Sequence, residues 1–280
     1  MKYFVVKLKE EFPFLKSQQE PELHCYINET TPKMKSGAGI PAMLIAPGGG
    51  YVAVSERESD PIAFKYLAAG FSCFILKYSI KPEHYPQQLL EIASAMLYIR
   101  KHAEEWHIDS KMIAVNGYSA GGHLAASLGV LWNDESILKF LNVKGDEIRP
   151  NAMVLSYPVI SADASFSHKP SIDNVSGTTD TESEIYKKMS LEKHVNAETP
   201  PTFIWHTASD LGVPAKNSLV FATKLAENNV TYELHIYPYG SHGLSTCDYA
   251  SNTFNQKQYA APWMDESIKF LFELWLKNNN

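Results

Sequence analysis

The chain has 280 residues, of which 45% are hydrophobic and 20% are charged, and its formal net charge is -6. A chain of this length and composition can bury a large core, and α/β proteins of this size commonly form one domain. The negative charge and the absence of any Lys/Arg-rich cluster argue against nucleic acid or an anionic membrane as a partner. We therefore expect a single domain over residues 1–280, with a substrate that need not be charged.

The sequence carries no signal for a membrane or for secretion. Residues 1–10 alternate charged with apolar side chains, unlike the uninterrupted apolar stretch of a secretory signal. No other segment approaches the roughly 20 apolar residues that span a bilayer. The cysteines, Cys25, Cys73 and Cys247, are odd in number and scattered, and Cys73 lies in an apolar run where we expect a buried free thiol. These features predict a cytoplasmic protein.

Short apolar runs alternate with helical patterns from about residue 40 onward, which is typical of a parallel sheet covered by helices on both faces. Two earlier runs, 3–8 and 23–28, look like strands joined without a helix, and they predict an antiparallel edge. The other predicted strands lie at 42–46, 71–78, 112–117, 151–157, 202–208 and 231–238. The predicted helices lie at 59–69, 87–105, 120–131, 215–228 and 263–277. The predicted fold class is α/β, with a mostly parallel sheet of eight strands.

One long connection, residues 158–200, interrupts this alternation. It is polar, and it contains only a short helical pattern at 181–189. A connection of this length inside a compact domain is usually functional or mobile. We interpret it as a small lid insertion over the carboxyl-terminal edge of the sheet.

The most informative motif is Gly117–His123, which reads Gly-Tyr-Ser-Ala-Gly-Gly-His and lies between a strand pattern and a helix pattern. A serine on a sharp turn of this kind has a strained backbone and an exposed hydroxyl, and small residues on either side let strand and helix approach closely. Gly-x-Ser-x-Gly also occurs by chance, where it only forms a turn. The order of the flanking elements favours Ser119 as a nucleophile of acyl transfer.

A serine nucleophile requires a histidine base and a carboxylate that orients this base. On an α/β architecture of this kind, the chain order is serine, acid and histidine, each after a strand. Asp210 follows the predicted strand 202–208 and is the candidate acid. His242 lies among small residues after the strand 231–238 and is the candidate base.

Other titratable residues are weaker candidates for these roles. His235 lies within a predicted strand and His206 near the end of one, where packed or hydrogen-bonded side chains are expected. His123 lies one turn into the helix after Ser119, so we expect it to shape the site without reaching the hydroxyl. Three other aspartates are weaker candidates because they lie in the irregular segment: Asp163, Asp173 and Asp180.

The loop Gly48–Gly50 follows the predicted strand 42–46, and its glycines can turn backbone N–H groups toward a ligand. We predict that the N–H groups of Gly49, Gly50 and Ala120 form an oxyanion hole. The loop also matches the Gly-x-Gly-x-x-Ala dinucleotide fingerprint, but that fingerprint requires an acidic residue at the end of the next strand. Lys77 and Tyr78 stand there instead, which disfavours nucleotide binding. The predicted chemistry needs no metal and no cofactor.

The motifs of the chain resemble those of the α/β-hydrolase superfamily, and within it those of the esterase/lipase branch with the intracellular acetyl-xylan esterase-like proteins. The matching segments are Pro47–Tyr51, Tyr85–Pro86, Gly117–Leu124, Ser156–Ile160, His206–Thr207 with Asp210, Val213–Pro214, Asn217–Ser218 and Gly240–Gly243. Related lipases often carry His-Gly-Gly-Gly in the oxyanion loop, whereas Pro47 stands first here and removes a backbone donor. The resemblance implies hydrolysis of small acyl esters, such as acetyl groups on xylo-oligosaccharides or other sugars.

Three other functions stay open at this point. The first is a general short-chain carboxylesterase or lipase. The second is a peptidase like the catalytic domain of prolyl oligopeptidases, although such enzymes usually have a separate gating domain. The third is a binding protein with the hydrolase fold and no catalysis.

Aromatic residues near strand ends or in the loops that follow are candidates to stack on a sugar. They are Tyr51, Trp205, Tyr239 and Trp263. Ligand pockets are commonly lined by aromatic side chains, but aromatic residues at such positions are more often packing groups. The expected partner is therefore a small-molecule ester, with an acetylated sugar as the leading candidate.

Overall fold

The computed structural model describes residues 1–29, 39–143, 146–251 and 258–278. Eight strands lie in these residues: β1 (Lys2–Lys7), β2 (Glu22–Ile27), β3 (Ile40–Ala46), β4 (Ser72–Lys77), β5 (Ile108–Tyr118), β6 (Ala152–Ser156), β7 (Thr202–Thr207) and β8 (Tyr232–Tyr237). They form one sheet in the order β1-β2-β4-β3-β5-β6-β7-β8.

The pairing of the strands confirms a mostly parallel sheet with an antiparallel edge. Strand β2 pairs antiparallel with both β1 and β4, whereas β4, β3, β5, β6, β7 and β8 pair in parallel. Every residue of β3 is buried, as expected for a parallel strand covered on both faces. The carboxyl ends of these parallel strands, β3, β5, β7 and β8 among them, therefore lie at the same edge of the sheet. Ligands bind at this edge in open α/β folds.

Helices cover both faces of this sheet. They are α1 (Leu8–Glu11), α2 (Asp60–Ala68), α3 (Gln87–Lys101), α4 (Ser119–Leu131), α5 (Glu135–Leu141), α6 (Lys169–Ser176), α7 (Glu184–Lys188), α8 (Lys216–Glu227) and α9 (Trp263–Asn278). Alternate residues of β3 belong to two separate apolar clusters, Leu44 to the first and Ile45 to the second. Residues of α3, α4 and α8 pack in the first cluster, and residues of α2 and α9 pack in the second.

The helices agree with the predicted ranges to within a few residues, and α5 and α6 were not predicted. The expectation that the first two strands are joined without a helix is wrong, because the single turn α1 lies between β1 and β2. Helix α6 contains a proline at its start and ends at Gly177, whose φ of 73° is left-handed. None of the helices in the described part of the chain is both long enough and apolar enough to cross a membrane.

Candidate active site

Ser119 lies at the junction of β5 and α4 with a φ of 54°, a left-handed conformation that is strained for a residue with a Cβ atom. Two glycines allow this sharp turn. A Cβ atom on Gly117 would lie 2.3 Å from the carbonyl oxygen of Gly121, and one on Gly121 would lie 2.1 Å from the carbonyl oxygen of Ala46. The glycines therefore let α4 cross close over β5 and β3, which holds Ser119 at the end of the sheet.

The structure brings Ser119, His242 and Asp210 together from three separate parts of the chain. His242 Nε2 lies 2.7 Å from Ser119 Oγ, and His242 Nδ1 lies 2.7 Å from Asp210 Oδ2. Because a carboxylate only accepts, Nδ1 carries the proton, and Nε2 is the acceptor for the serine hydroxyl. This geometry permits the hydroxyl proton to move to Nε2 as Oγ attacks an electrophile.

The carboxylate of Asp210 is fully buried, and four N–H groups contact it, one of them from His242. Its Oδ1 accepts the N–H groups of Gly212 and Val213, and its Oδ2 also lies 3.3 Å from His206 Nε2. Burial alone raises the pKa of Asp210, but the contacts with His206 and His242 and the backbone N–H of Val213 outweigh it, so the pKa lies well below its ordinary value. Asp210 is therefore ionised at neutral pH and can stabilise a charged His242.

His206 supports this loop from inside the core. Its Nε2 donates to the carbonyl oxygen of Val213 at 2.9 Å, and its Nδ1 accepts from Ser218 Oγ at 2.8 Å. The expectation that His206 is a packed and hydrogen-bonded side chain agrees with these contacts. The structure adds a third partner, the candidate acid itself, whose Oδ2 lies 3.3 Å from His206 Nε2.

The loop after β3 has the backbone geometry of an anion site. Gly49 has a φ of 127° and Gly50 a φ of 65°, both in the left-handed region that glycine tolerates best. Neither of their N–H groups donates to another described residue. Ala120 lies in the first turn of α4, where N–H groups have no partner inside the helix. These are the three donors predicted for the oxyanion hole, and that role stays a prediction.

His123 ties this loop to the segment 158–200. Its Nε2 donates to the carbonyl oxygen of Met189 at 3.0 Å, and its Nδ1 accepts from the Tyr51 hydroxyl at 3.0 Å. Burial lowers the pKa of His123 from 6.5 to about 4, so this ring is neutral at pH 7. His123 therefore shapes the site, as its position in the sequence indicated, and does not act as a base.

The prediction of sugar contacts is wrong for three of its four residues in this structure. Trp205 and Trp263 are fully buried and stack on each other, with ring centroids 5.0 Å apart. Their indole N–H groups donate to Ser156 Oγ and to the carbonyl oxygen of Ser245. Tyr51 is also fully buried.

The physical reason is that these rings face the core below the loops, where they fill volume and satisfy their polar atoms. Tyr239 is different, because 70% of it is exposed, and a sugar contact stays a prediction for this residue alone.

The segment 158–200 contains α6 and α7 and packs on the oxyanion loop and on the start of α8. Asn174 Nδ2 in α6 donates to the carbonyl oxygen of Gly50 at 2.9 Å. On the other side, Asn217 Oδ1 accepts the N–H groups of Ile160 and Ser161, each at 3.0 Å. The segment therefore supports the site through specific hydrogen bonds, while its opening and closing as a lid stays a prediction.

Two residues at the site were missed by the sequence reasoning. Glu58 is buried beside Gly48, and Tyr157 packs edge-on against His242 with centroids 5.1 Å apart. Glu58 belongs to the polar run 55–60, which has the composition of an exposed loop. No pattern in the sequence distinguishes Glu58 from the neighbouring Glu56, which is exposed.

Solved structures of known proteins share this fold. An acetyl ester-xyloside bifunctional hydrolase from Caldicellulosiruptor lactoaceticus superposes with a TM-score of 0.81 and 32% sequence identity, over 97% of this chain and 96% of that one. MGS-M1, an alpha/beta hydrolase enzyme from a Medee basin deep-sea metagenome library, superposes with a TM-score of 0.76 and 30% identity, over 98% of each chain. The chain has the α/β-hydrolase fold, as its motifs predicted.

Sequence comparison identifies the family within the α/β hydrolases to which the chain belongs. The BD-FAE family model matches residues 29–225, and the chain belongs to the BD-FAE family. Endo-1,4-beta-xylanase B of Butyrivibrio fibrisolvens is 34% identical over 235 residues, which cover 81% of this chain and 35% of that protein. Acetylxylan esterase of Xylanibacter ruminicola is 28% identical over 206 residues, which cover 72% of this chain and 40% of that protein. The matched region is thus less than half the length of either relative.

Proposed function

We propose that the protein is a serine esterase that removes small acyl groups, and that its substrates are acetyl esters of xylo-oligosaccharides. The observation that carries the proposal is the unbroken chain of contacts from Ser119 Oγ through His242 to Asp210, each 2.7 Å long. The relatives named as an acetylxylan esterase and an acetyl ester-xyloside hydrolase support the acetylated sugar as substrate.

The proposed reaction proceeds through an acyl-enzyme. Ser119 Oγ attacks the ester carbonyl carbon while His242 Nε2 takes the hydroxyl proton, and Asp210 stabilises the resulting imidazolium. The negative charge on the carbonyl oxygen is held by the N–H groups of Gly49, Gly50 and Ala120. The imidazolium then protonates the departing alcohol. Water activated by His242 attacks the acyl-enzyme and releases acetate, which restores the serine hydroxyl.

A cytoplasmic location is part of the proposal. All three cysteines of the described chain are free and buried, which agrees with a reducing compartment. The proposed partner is a small-molecule ester, with neither nucleic acid nor a membrane involved.

The experiment that tests the function measures acetate release from acetylated xylo-oligosaccharides alongside hydrolysis of 4-nitrophenyl acetate, butyrate and octanoate. We expect the acetyl esters to be hydrolysed best and Ser119→Ala to lower kcat/KM by about 10⁴-fold or more. A fluorophosphonate probe is expected to label the natural protein and not the variant.

Different outcomes separate the alternatives. Wild-type hydrolysis by Ser119→Ala would exclude Ser119 as the nucleophile. A preference for octanoate identifies a lipase, and cleavage of a prolyl peptide without ester hydrolysis identifies a peptidase. Absence of both labelling and hydrolysis leaves a binding protein.

A further inference from the structure

A buried carboxylate lies directly beneath the candidate oxyanion hole. Glu58 is only 3% exposed, and it forms no ion pair with any residue in the described ranges. A Cβ atom on Gly48 would lie 2.6 Å from Glu58 Oε2 and 3.0 Å from Ser119 Cβ, so the carboxylate is close to the nucleophile. Burying a charge without a cationic partner is costly, and such a group is kept only where several hydrogen bonds satisfy it.

The two oxygens of Glu58 hold two different loops. Oε2 accepts the N–H of Gly48 at 2.8 Å, which turns this N–H away from the site. Oε1 accepts the hydroxyl of Tyr157 at 2.7 Å. The Gly48 contact fixes the residue immediately before Gly49 and Gly50, and therefore the direction in which the N–H groups of these two residues point.

Tyr157 continues the network to the histidine loop. Its hydroxyl oxygen accepts the N–H of Ser245 at 2.9 Å, three residues after His242. Its ring also packs edge-on against the imidazole of His242. Burial and the nearby Glu58 raise the pKa of Tyr157 well above its ordinary value, so the hydroxyl stays protonated and donates to Glu58.

We propose that Glu58 is a positioning residue for the esterase reaction. Together with Tyr157, it fixes the position of the oxyanion loop relative to the loop that carries His242. The proposal rests on the proposed function, because both loops are assigned roles in that reaction. Glu58 touches neither substrate nor reacting atoms in this role. It acts through Gly48 and through Tyr157.

The chemistry of the network explains why a carboxylate stands here. Both the N–H of Gly48 and the hydroxyl of Tyr157 donate toward residue 58, so this residue must accept at both of its terminal atoms. A carboxylate does so, whereas an amide offers one acceptor and one donor. Glu58→Gln can therefore keep the contact with Gly48 at nearly unchanged side-chain size, but its amide can only donate to the Tyr157 hydroxyl, whose proton then loses its acceptor.

The test combines Glu58→Gln, Tyr157→Phe and the double variant, with kcat and KM measured separately on 4-nitrophenyl acetate. We expect each single variant to lower kcat about 10- to 100-fold and to change KM less than about twofold. The reason is that displaced oxyanion N–H groups and a displaced His242 ring stabilise the transition state less well, whereas they contribute little to binding of the ground-state substrate. The double variant should lose little more than the single variants, because both break the same network. Affinity for a boronic acid inhibitor, whose tetrahedral adduct uses the oxyanion hole, should fall in parallel with kcat.

A matched control is Glu91→Gln. Glu91 is also buried, and its carboxylate accepts the N–H and the hydroxyl of Ser79 in the loop after β4. This substitution should lower the unfolding temperature without lowering kcat. An equal kcat loss in Glu91→Gln and Glu58→Gln would mean that both losses come from lower stability. That result would overturn the proposal.

The outcomes separate this proposal from the proposed function. If the natural protein does not hydrolyse esters, or if Ser119→Ala remains active, the function itself is wrong. If those two results are as expected but Glu58→Gln keeps full kcat, changes only KM, or combines with Tyr157→Phe multiplicatively, only the positioning role is wrong. Should Glu58→Gln fail to fold, Tyr157→Phe alone decides the matter, and an unchanged kcat overturns the proposal.

Discussion

The acid loop and the oxyanion loop lie on either side of Ser119 and are held in different ways. In the acid loop, Asp210 is bonded to the N–H groups of Gly212 and Val213, two and three residues away. The oxyanion loop depends on distant partners, with Tyr51 bonded to His123 and Gly50 bonded to Asn174, separated by 72 and 124 residues. The oxyanion loop has local bonds as well, from the N–H groups of Val52 and Ala53 to the carbonyl oxygen of Gly49, but its bonds to His123 and Asn174 make its shape depend on the assembled fold.

The largest expected effect comes from the acid loop. Asp210→Asn removes the charge and the pure acceptor opposite His242 Nδ1, so the ring loses the tautomer that leaves Nε2 free to accept. We expect kcat on acetate esters to fall about 10⁴-fold. Asp163→Asn is the matched control, because Asp163 lies in an exposed turn of the segment 158–200 and should keep full activity. A loss below tenfold for Asp210→Asn would contradict the assignment of the acid.

The next effect concerns His123, a distant support of the oxyanion loop. The pKa of His123 is about 4 in the native protein and 6.5 in an ordinary environment. In the unfolded chain this ring therefore binds a proton near pH 6.5, whereas in the native protein it binds one only near pH 4. Stability therefore falls as the pH drops from 6.5 to 4, by about 3 kcal/mol from this ring alone.

Urea unfolding of the natural protein and of His123→Gln across this range measures the effect. The variant should be less stable at pH 7 and should lose correspondingly less stability on acidification. Parallel pH curves for the two proteins would show that His123 is not the group responsible.

Gly49→Ala tests the backbone of the oxyanion loop. The added Cβ atom would lie 2.0 Å from the carbonyl oxygen of Ala53, at a φ of 127° that side chains avoid, so the loop must move. We expect kcat to fall about 100-fold, as for the loss of one oxyanion donor. Gly70→Ala is the control, because Gly70 also has a positive φ, of 96°, but has open space around it away from the site. It should cost about 1 kcal/mol of stability and leave kcat unchanged. Equal kcat values for the two variants would show that the backbone conformation at Gly49 has no part in catalysis.

The strands of the sheet could be predicted from local sequence patterns. All eight predicted strands are present within a few residues, because buried parallel strands form continuous apolar runs that alternate with helical periodicity. The short helices α5 and α6 escaped prediction because they span only 7 and 8 residues, too few for a clear helical period. Their positions depend on packing against the rest of the fold.

By itself, the sequence determined the strand order along the chain and the loops in which Ser119, Asp210, His242 and the glycines lie. Chain order sufficed for these because the carboxyl ends of parallel strands meet at one edge of a sheet. Only the tertiary structure decided that Trp205 and Trp263 stack in the core and that Glu58 is buried against Tyr157. Such contacts join residues far apart in the chain, and neither periodicity nor composition records which of several similar side chains faces inward.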